Sequence, residues 1–293
     1  MTHALAAAPA ARTGQDSVGL LRLYRAELRW IFRRPRTLAV LGLLALIPVI
    51  IGVALTLVDP AETSGGGGGD GDGALLASAV SNGFILPVAA LTMTLGLLLP
   101  LASAMAGADA IAGEAAHGTL RGWLIAPVGR GRLLAIKAFG VATVSTIAVL
   151  AMTFTGFVTG LVISGTDSMF TLTGSTLSVW DALGRILLVA AWVVLQLWAV
   201  GAVALAISAF TEHPMLVVAS VLAGTIVFTI LGFLDAVSWL HPFLLNENWT
   251  QAPASVLMDP VDTAMLGEGA LRAACYIAIG LSIAYARLTT RDG

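Results

Sequence analysis

Hydrolytic or acid–base chemistry needs ionisable side chains held in pairs, and this chain of 293 residues offers few. Glu212 and His213 adjoin, and they read as a proton switch or, more simply, as a solvated turn. The single cysteine, Cys275, permits no internal disulfide and no cysteine-based metal site. There is no H-E-x-x-H pair to hold zinc, and no G-x-x-x-x-G-K-[ST] cradle for phosphates around Lys137, the one lysine. Five glycines, Gly65 to Gly69, precede Asp70 and Asp72. They lack the strand, helix and lysine of a phosphate loop, so they read as a flexible linker or, on two carboxylates, a weak calcium site. The sequence therefore names no catalytic residue and no metal ligand.

Two segments concentrate what charge there is. In the first, Arg22, Arg25, Arg29 and Arg33 recur every three or four residues, with Leu20, Tyr24, Leu28 and Ile31 toward the opposite side. This predicts an amphipathic helix lying at the headgroup boundary, apolar face toward lipid and arginines toward anionic phosphates, over residues 17–36. Arg34 and Pro35 close it. It serves as a topology anchor or as a lever on a cytoplasmic partner. The second segment runs from Asp109 to Lys137. Gly118 should break the helix leaving the membrane, and Thr119 can cap a new one. Leu120, Trp123 and Leu124 give that short helix an apolar face, and Pro127 stops it. Arg130, Arg132 and Lys137 would pin the next span at the inner surface. Such a transverse helix suits docking into a groove on a soluble partner, or merely joins two spans.

The elements that carry these segments follow from composition. Hydrophobic residues make up 58% of the chain and charged ones 11%, against about 25% charged in a soluble domain. That excludes a soluble globule, and a net charge of −2 excludes a global basic footprint for nucleic acid. A bilayer core needs roughly 20 apolar helical residues per crossing, and charge-poor runs of about that length predict six spans. These cover residues 37–57, 78–107, 140–163, 186–210, 215–233 and, with Arg272 snorkelling near one end, 270–286. The expected fold is an all-α polytopic membrane domain over 37–287. A disordered tail (1–16) precedes the amphipathic helix, and a short cytoplasmic tail (288–293) ends the chain. Placing both termini inside puts 13 of the 15 basic residues on the cytoplasmic side. The span interiors hold no charge, which weakens proton- or sodium-coupled transport. Their polar groups are mild: Gln196 and Thr153 could line a substrate path, or Gln196 could bond between helices. Gly156 and Gly160 are spaced for close helix packing.

The run Glu114-x3-Gly118-Thr119-Leu120-Arg121, then Leu124, Pro127-Val128, Arg130, Arg132 and Lys137, resembles the first cytoplasmic loop of ABC-2 type transporter permeases. The basic helix ending in Arg33-Arg34-Pro35 and the six spans are similar to that family too. The resemblance implies a homodimer or heterodimer of six-span subunits. Glu114, Gly118, Thr119, Leu120, Arg121, Trp123, Leu124 and Pro127 would then couple to a separate ATP-binding subunit, which would hold ATP and magnesium. It implies export, and uncharged spans favour amphipathic or lipid-like compounds or drugs as cargo. A membrane anchor that recruits a cytoplasmic protein without transport is the other reading. Fourteen arginines to one lysine, with abundant Ala and Gly, point to GC-rich coding and a bacterial cytoplasmic membrane.

Overall fold

The computed structural model describes residues 20–57, 79, 82–116, 118, 129–164 and 178–290. Among the described residues every regular element is helical. In chain order they are α1 (Leu20–Phe32), α2 (Pro35–Leu57), α3 (Leu86–Leu95), α4 (Leu98–Ala110), α5 (Ala112–Ala116) and α6 (Arg130–Ser164). There follow α7 (Val179–Ser208), α8 (Pro214–Gly232), a 3-10 helix (Asp235–Phe243), α9 (Gln251–Ser255) and α10 (Thr263–Thr290). Five of these are long and apolar enough to cross a membrane, and α3 with α4 makes a sixth crossing if the bent pair counts as one. The chain is an all-α polytopic membrane protein. The tail 1–16, the glycine run and residues 119–128 lie outside the described residues.

The second crossing differs from the continuous helix that its composition suggests. It bends by 59° between α3 and α4, where Leu97 leaves the helical region (φ −146°, ψ −51°). Pro100 explains the position of the break. A continuous helix would need its N–H to bond Gly96 O, and the proline ring has no N–H and crowds that carbonyl. Pro35, by contrast, opens α2 at its first residue, where a missing N–H costs nothing.

α7 is the axis of the bundle. It contacts α3, α4, α6, α8 and α10, and small residues set those distances. A Cβ on Gly280 of α10 would lie 2.8 Å from the Ala202 backbone of α7. Hydroxyls and amides brace the same contacts. Ser103 Oγ donates to Leu197 O at 2.8 Å, and Ser145 Oγ donates to Ser103 Oγ at 3.0 Å. Trp192 Nε1 donates to Leu266 O at 3.1 Å. Where water is absent, close backbone approach and such interhelical bonds replace the hydrophobic effect as the source of association.

At the end away from α1, the segment before α10 folds back over the bundle. Arg272, expected near a span end, lies well inside the longer α10, and Nη1 donates to Leu244 O at 3.1 Å. Arg185 Nη1 reaches Val256 O and Met258 O at 3.0 and 2.8 Å. Both guanidiniums thus satisfy carbonyls of the covering segment.

The Gly156/Gly160 pair packs α6 against the start of α3. A Cβ on Gly160 would lie 2.0 Å from Gly83 O, and one on Gly156 would lie 2.9 Å from Pro87 Cα. Because the obstacle is backbone, Gly160→Val should lower stability by about 1–3 kcal/mol, read as an earlier thermal transition in detergent. Gly184, with open space around its Cα, is the control: Gly184→Ala should leave the transition unchanged or raise it by up to ~1 kcal/mol.

Candidate functional site

The arginine stripe of α1 is where its spacing puts it. Arg22, Arg25, Arg29 and Arg33 are all exposed. The opposite face, expected toward lipid, packs instead on the first turns of α6. The Tyr24 and Phe139 rings meet edge to face with centroids 5.6 Å apart, and Tyr24 Oη hydrogen-bonds Thr143 Oγ1. Gly140 makes room: a Cβ there would lie 3.0 Å from Ile31 Cδ1 and 3.4 Å from Glu27 Cγ. Glu27 is the reason for the change of partner. On the wheel it falls in the middle of the apolar face, where hydrocarbon would leave its charge unsatisfied.

Glu27 meets Lys137, which the sequence placed with the interfacial basic residues. The structure buries Lys137 to 2% exposure. Its Nζ lies 3.0 and 3.1 Å from the two Glu27 oxygens and 2.5 Å from Glu114 Oε1. Both carboxylates are buried as well. The three ammonium protons therefore have three anionic oxygens to meet, which is what allows the lysine to leave water. Around this core, the Trp30 ring centre is 5.5 Å from Nζ, and the Arg34 guanidinium stacks 3.3 Å over the same ring. Arg34 and Arg36 approach Asp109 at 3.4 and 3.7 Å. One continuous set of charges thus ties α1, the α1–α2 turn, α2, α4, α5 and α6 together. Burial pushes the Glu114 carboxyl above its ordinary range, with Lys137 pulling it back only in part.

α5 holds Glu114 in place through a second contact. Between α4 and α5, Ile111 is not helical (φ −121°, ψ −59°). Ser208 of α7 enters that gap: its Oγ accepts from Ala112 N at 2.8 Å and donates to Ala108 O at 3.3 Å. These are the two groups that an unbroken helix would bond to each other, so one hydroxyl repairs the ladder and fastens α5 to the axis. Past α5, Gly118 takes φ +71°, and its N–H bonds Ala115 O at 3.0 Å. This left-handed turn stops the helix, as its glycine suggests.

Thr119, Leu120, Arg121, Trp123, Leu124 and Pro127 lie outside the described residues. The geometry brings Glu114, Arg34 and Lys137 together, and it places Arg130 elsewhere at the same end of the bundle. Arg130 Nη1 donates to Leu288 O and Thr289 O, the last carbonyls of α10, at 2.7 and 2.6 Å. Arg132 is half-buried beside it at the start of α6. The two suggested substrate-path residues are far along the spans and engaged internally. Gln196 is fully buried: Nε2 donates to Gly269 O at 3.1 Å, and Oε1 accepts from Trp249 Nε1 at 3.2 Å. Buried Thr153 donates to Val149 O at 2.8 Å. Neither is presented to a ligand. Glu27 was not singled out by its sequence, although a lone carboxylate at the centre of an apolar helical face was a visible signal.

The profile of the family described as ABC-2 family transporter protein matches residues 21–261. No curated protein matches the chain.

Replacing Lys137 by Met strands two buried carboxylates and should destabilise the chain by about 3–5 kcal/mol. The triple variant Lys137→Met, Glu27→Gln, Glu114→Gln should recover most of that loss in the same thermal assay. pH gives an independent readout. Glu114 binds its proton more tightly folded than unfolded, so its contribution is complete below its ordinary pKa of 4.5 and is lost as pH rises through the raised value. Glu114→Gln, uncharged throughout, should flatten the decline in thermal transition above that pH.

Proposed function

The chain belongs to the ABC-2 family of transporter proteins, and from that premise we propose that it is the permease subunit of an ATP-driven exporter. The family makes it a membrane transport component. The ATPase and its magnesium would reside on a separate ATP-binding subunit, with the permease working as a homodimer or heterodimer. Both termini face the cytoplasm of a bacterial cell, and the cargo is an amphipathic or lipid-like compound.

The ion cluster carries the mechanistic part of this reading. Residues 119–128 join α5 to α6, and α5 is anchored by Glu114 to Lys137 and by Ser208 to α7. A partner that pulls on 119–128 therefore pulls on a buried charge. Buried charges move only with their counter-ions, so α1 and the start of α6 would travel with it. That property suits transmission of force better than it suits a passive connector. The low charge of the spans, whose Arg185 and Arg272 are engaged by carbonyls of the covering segment, supports a cargo without a charge of its own.

The test is to purify the chain with a candidate ATP-binding subunit and to measure hydrolysis and cargo movement in liposomes. Arg121→Ala and Glu114→Ala should insert and assemble, yet lose transport per ATP by roughly 5- to 150-fold, the effect of about 1–3 kcal/mol of coupling. Wild-type transport in Arg121→Ala would falsify the coupling assignment. Complex formation without any ATP-dependent transport would leave the protein as an anchor.

A further inference from the structure

α6 and α10 both pack along α7, and they meet each other at the end that carries the ion cluster. Arg130 reaches the last carbonyls of α10 there, and a Cβ on Gly131 would lie 3.2 Å from Tyr285 Cε2. Leu134, Ala284 and Leu288 share one buried cluster at the same end. Further along the spans, the two helices and α7 line a groove of about 360 Å³. Its lining includes Phe139, Ala142 and Ile147 of α6, Trp198 of α7, and Ile277 and Leu281 of α10.

The lining has no proton to offer an occupant. It holds no ionisable group, and its side-chain donors are spent within the protein. Thr143 Oγ1 donates to Phe139 O at 2.8 Å, Thr146 Oγ1 to Ala142 O at 2.7 Å, and Trp198 Nε1 to Ala142 O at 3.2 Å. An ordered water needs roughly two to four polar partners, so a space lined in this way favours hydrocarbon over water. The groove is also continuous with the uncovered apolar surface of the spans. Phe139 and Trp198 are 63% and 40% exposed, and Leu150 and Phe154 extend the exposed face of α6. One turn of an α-helix 10 Å across and 5.4 Å long fills roughly 400 Å³, more than the groove holds. A single alkyl chain is narrower than a helix and needs no polar partner.

We propose that this groove holds one acyl chain of a bilayer phospholipid, bound through its hydrocarbon and not through its headgroup. The site needs no ATP, no cargo and no second subunit, so it stands or falls separately from the transport reading. Phe139 and Thr143 line the groove and also receive Tyr24 of α1. The acyl chain therefore packs against the same side chains that dock α1 on the bundle.

The test gives the full chain, purified in detergent, one equivalent of a phospholipid with a photoactivatable diazirine in one acyl chain. Labelled residues are then mapped by peptide mass spectrometry. Residues 138–147, 198–205 and 277–281 should take up label in excess over Met215, Leu216, Ile226 and Ile230, the exposed face of α8. The expected excess is about tenfold, which corresponds to about 1.4 kcal/mol of preference. Phosphatidylcholine and phosphatidylglycerol with the same labelled chain should give the same excess. Ala142→Leu fills the groove and should remove the excess. Ala219→Leu adds the same bulk to the exposed face of α8 and should keep it. Thermal melting checks that both variants are folded. If Ala142→Leu fails that check, the map and the headgroup comparison on the wild type still decide. Label spread in proportion to exposure would mean annular lipid only, and would overturn the proposal. So would an excess confined to one headgroup, an excess that survives in folded Ala142→Leu, or a groove left unlabelled because a second copy covers it.

Discussion

An ammonium group taken out of water must bring its counter-charges with it. The idealised cost of moving such an ion into a low-dielectric interior is of order 20 kcal/mol, and several kcal/mol remain after relaxation. Lys137 is 2% exposed, so the positions of its partners are not free. Glu27 has to come from α1 and Glu114 from α5, and each brings its helix along. The amphipathic helix is consequently packed on α6, and α5 is folded back under the bundle. The Arg34–Asp109 contact then joins the α1–α2 turn to the end of α4. Removing the lysine from this scheme would leave three helices with no electrostatic reason to meet.

The rest of the bundle obeys a different constraint. Away from the charged end, every buried N–H and C=O must be satisfied by protein. Breaks in the helices therefore need other partners for the groups they free. At the α3–α4 bend the backbone itself bridges the break, Leu97 N donating to Thr94 O and Leu101 N to Leu97 O. Ser208 bridges the gap between α4 and α5. Gln196 and Trp249 tie α7 to α10 and to the covering segment. Two of these side chains, Gln196 and Ser208, are on α7, the most buried of the spanning helices.

Much of the architecture was legible in the sequence because hydrophobic length and charge position are one-dimensional quantities. The starts of α2 and α8, the arginine stripe of α1 and the helix stop at Gly118 all follow from local patterns. Two features did not follow. The α3–α4 bend depends on Pro100 acting four residues back on Gly96, which an apolar-run count does not register. The ion cluster depends on residues 23 and 110 positions apart in the chain. The hydrophobic periodicity of α1 points its face toward lipid, and only the Glu27 carboxylate, buried against Lys137, shows that the face packs on protein. Lys137 was placed at the interface because nothing in its neighbourhood offers a counter-charge; both come from other helices. Gln196 shows the converse case: a polar residue in a span is visible in the sequence, but whether it faces a cavity or a neighbour is decided by packing.

The two constraints meet at α5, and that meeting bears on mechanism. α5 is five residues long, too short to be stable alone, and the Glu114–Lys137 ion pair and the Ser208 hydroxyl are two of the contacts that hold it. Glu114 connects it to α6 and, through Lys137, to α1; Ser208 connects it to α7. A displacement of the segment beyond Gly118 would load both of these attachments. The ion pair is buried and resists, so the smaller energetic change is at Ser208, whose two hydrogen bonds can be exchanged for the direct Ala112–Ala108 bond of an unbroken helix. Straightening the α4–α5 junction in this way would release the end of α7 while keeping α1, α5 and α6 clamped together. α7 is a 30-residue helix, roughly 45 Å long at 1.5 Å per residue. A small rotation at Ser208 would thus be felt at Gln196 and at the covering segment beyond it. The buried ion pair and the Ser208 hydroxyl thus fasten α5 to two different helices, α6 and α7, each of which contacts several of the other spans.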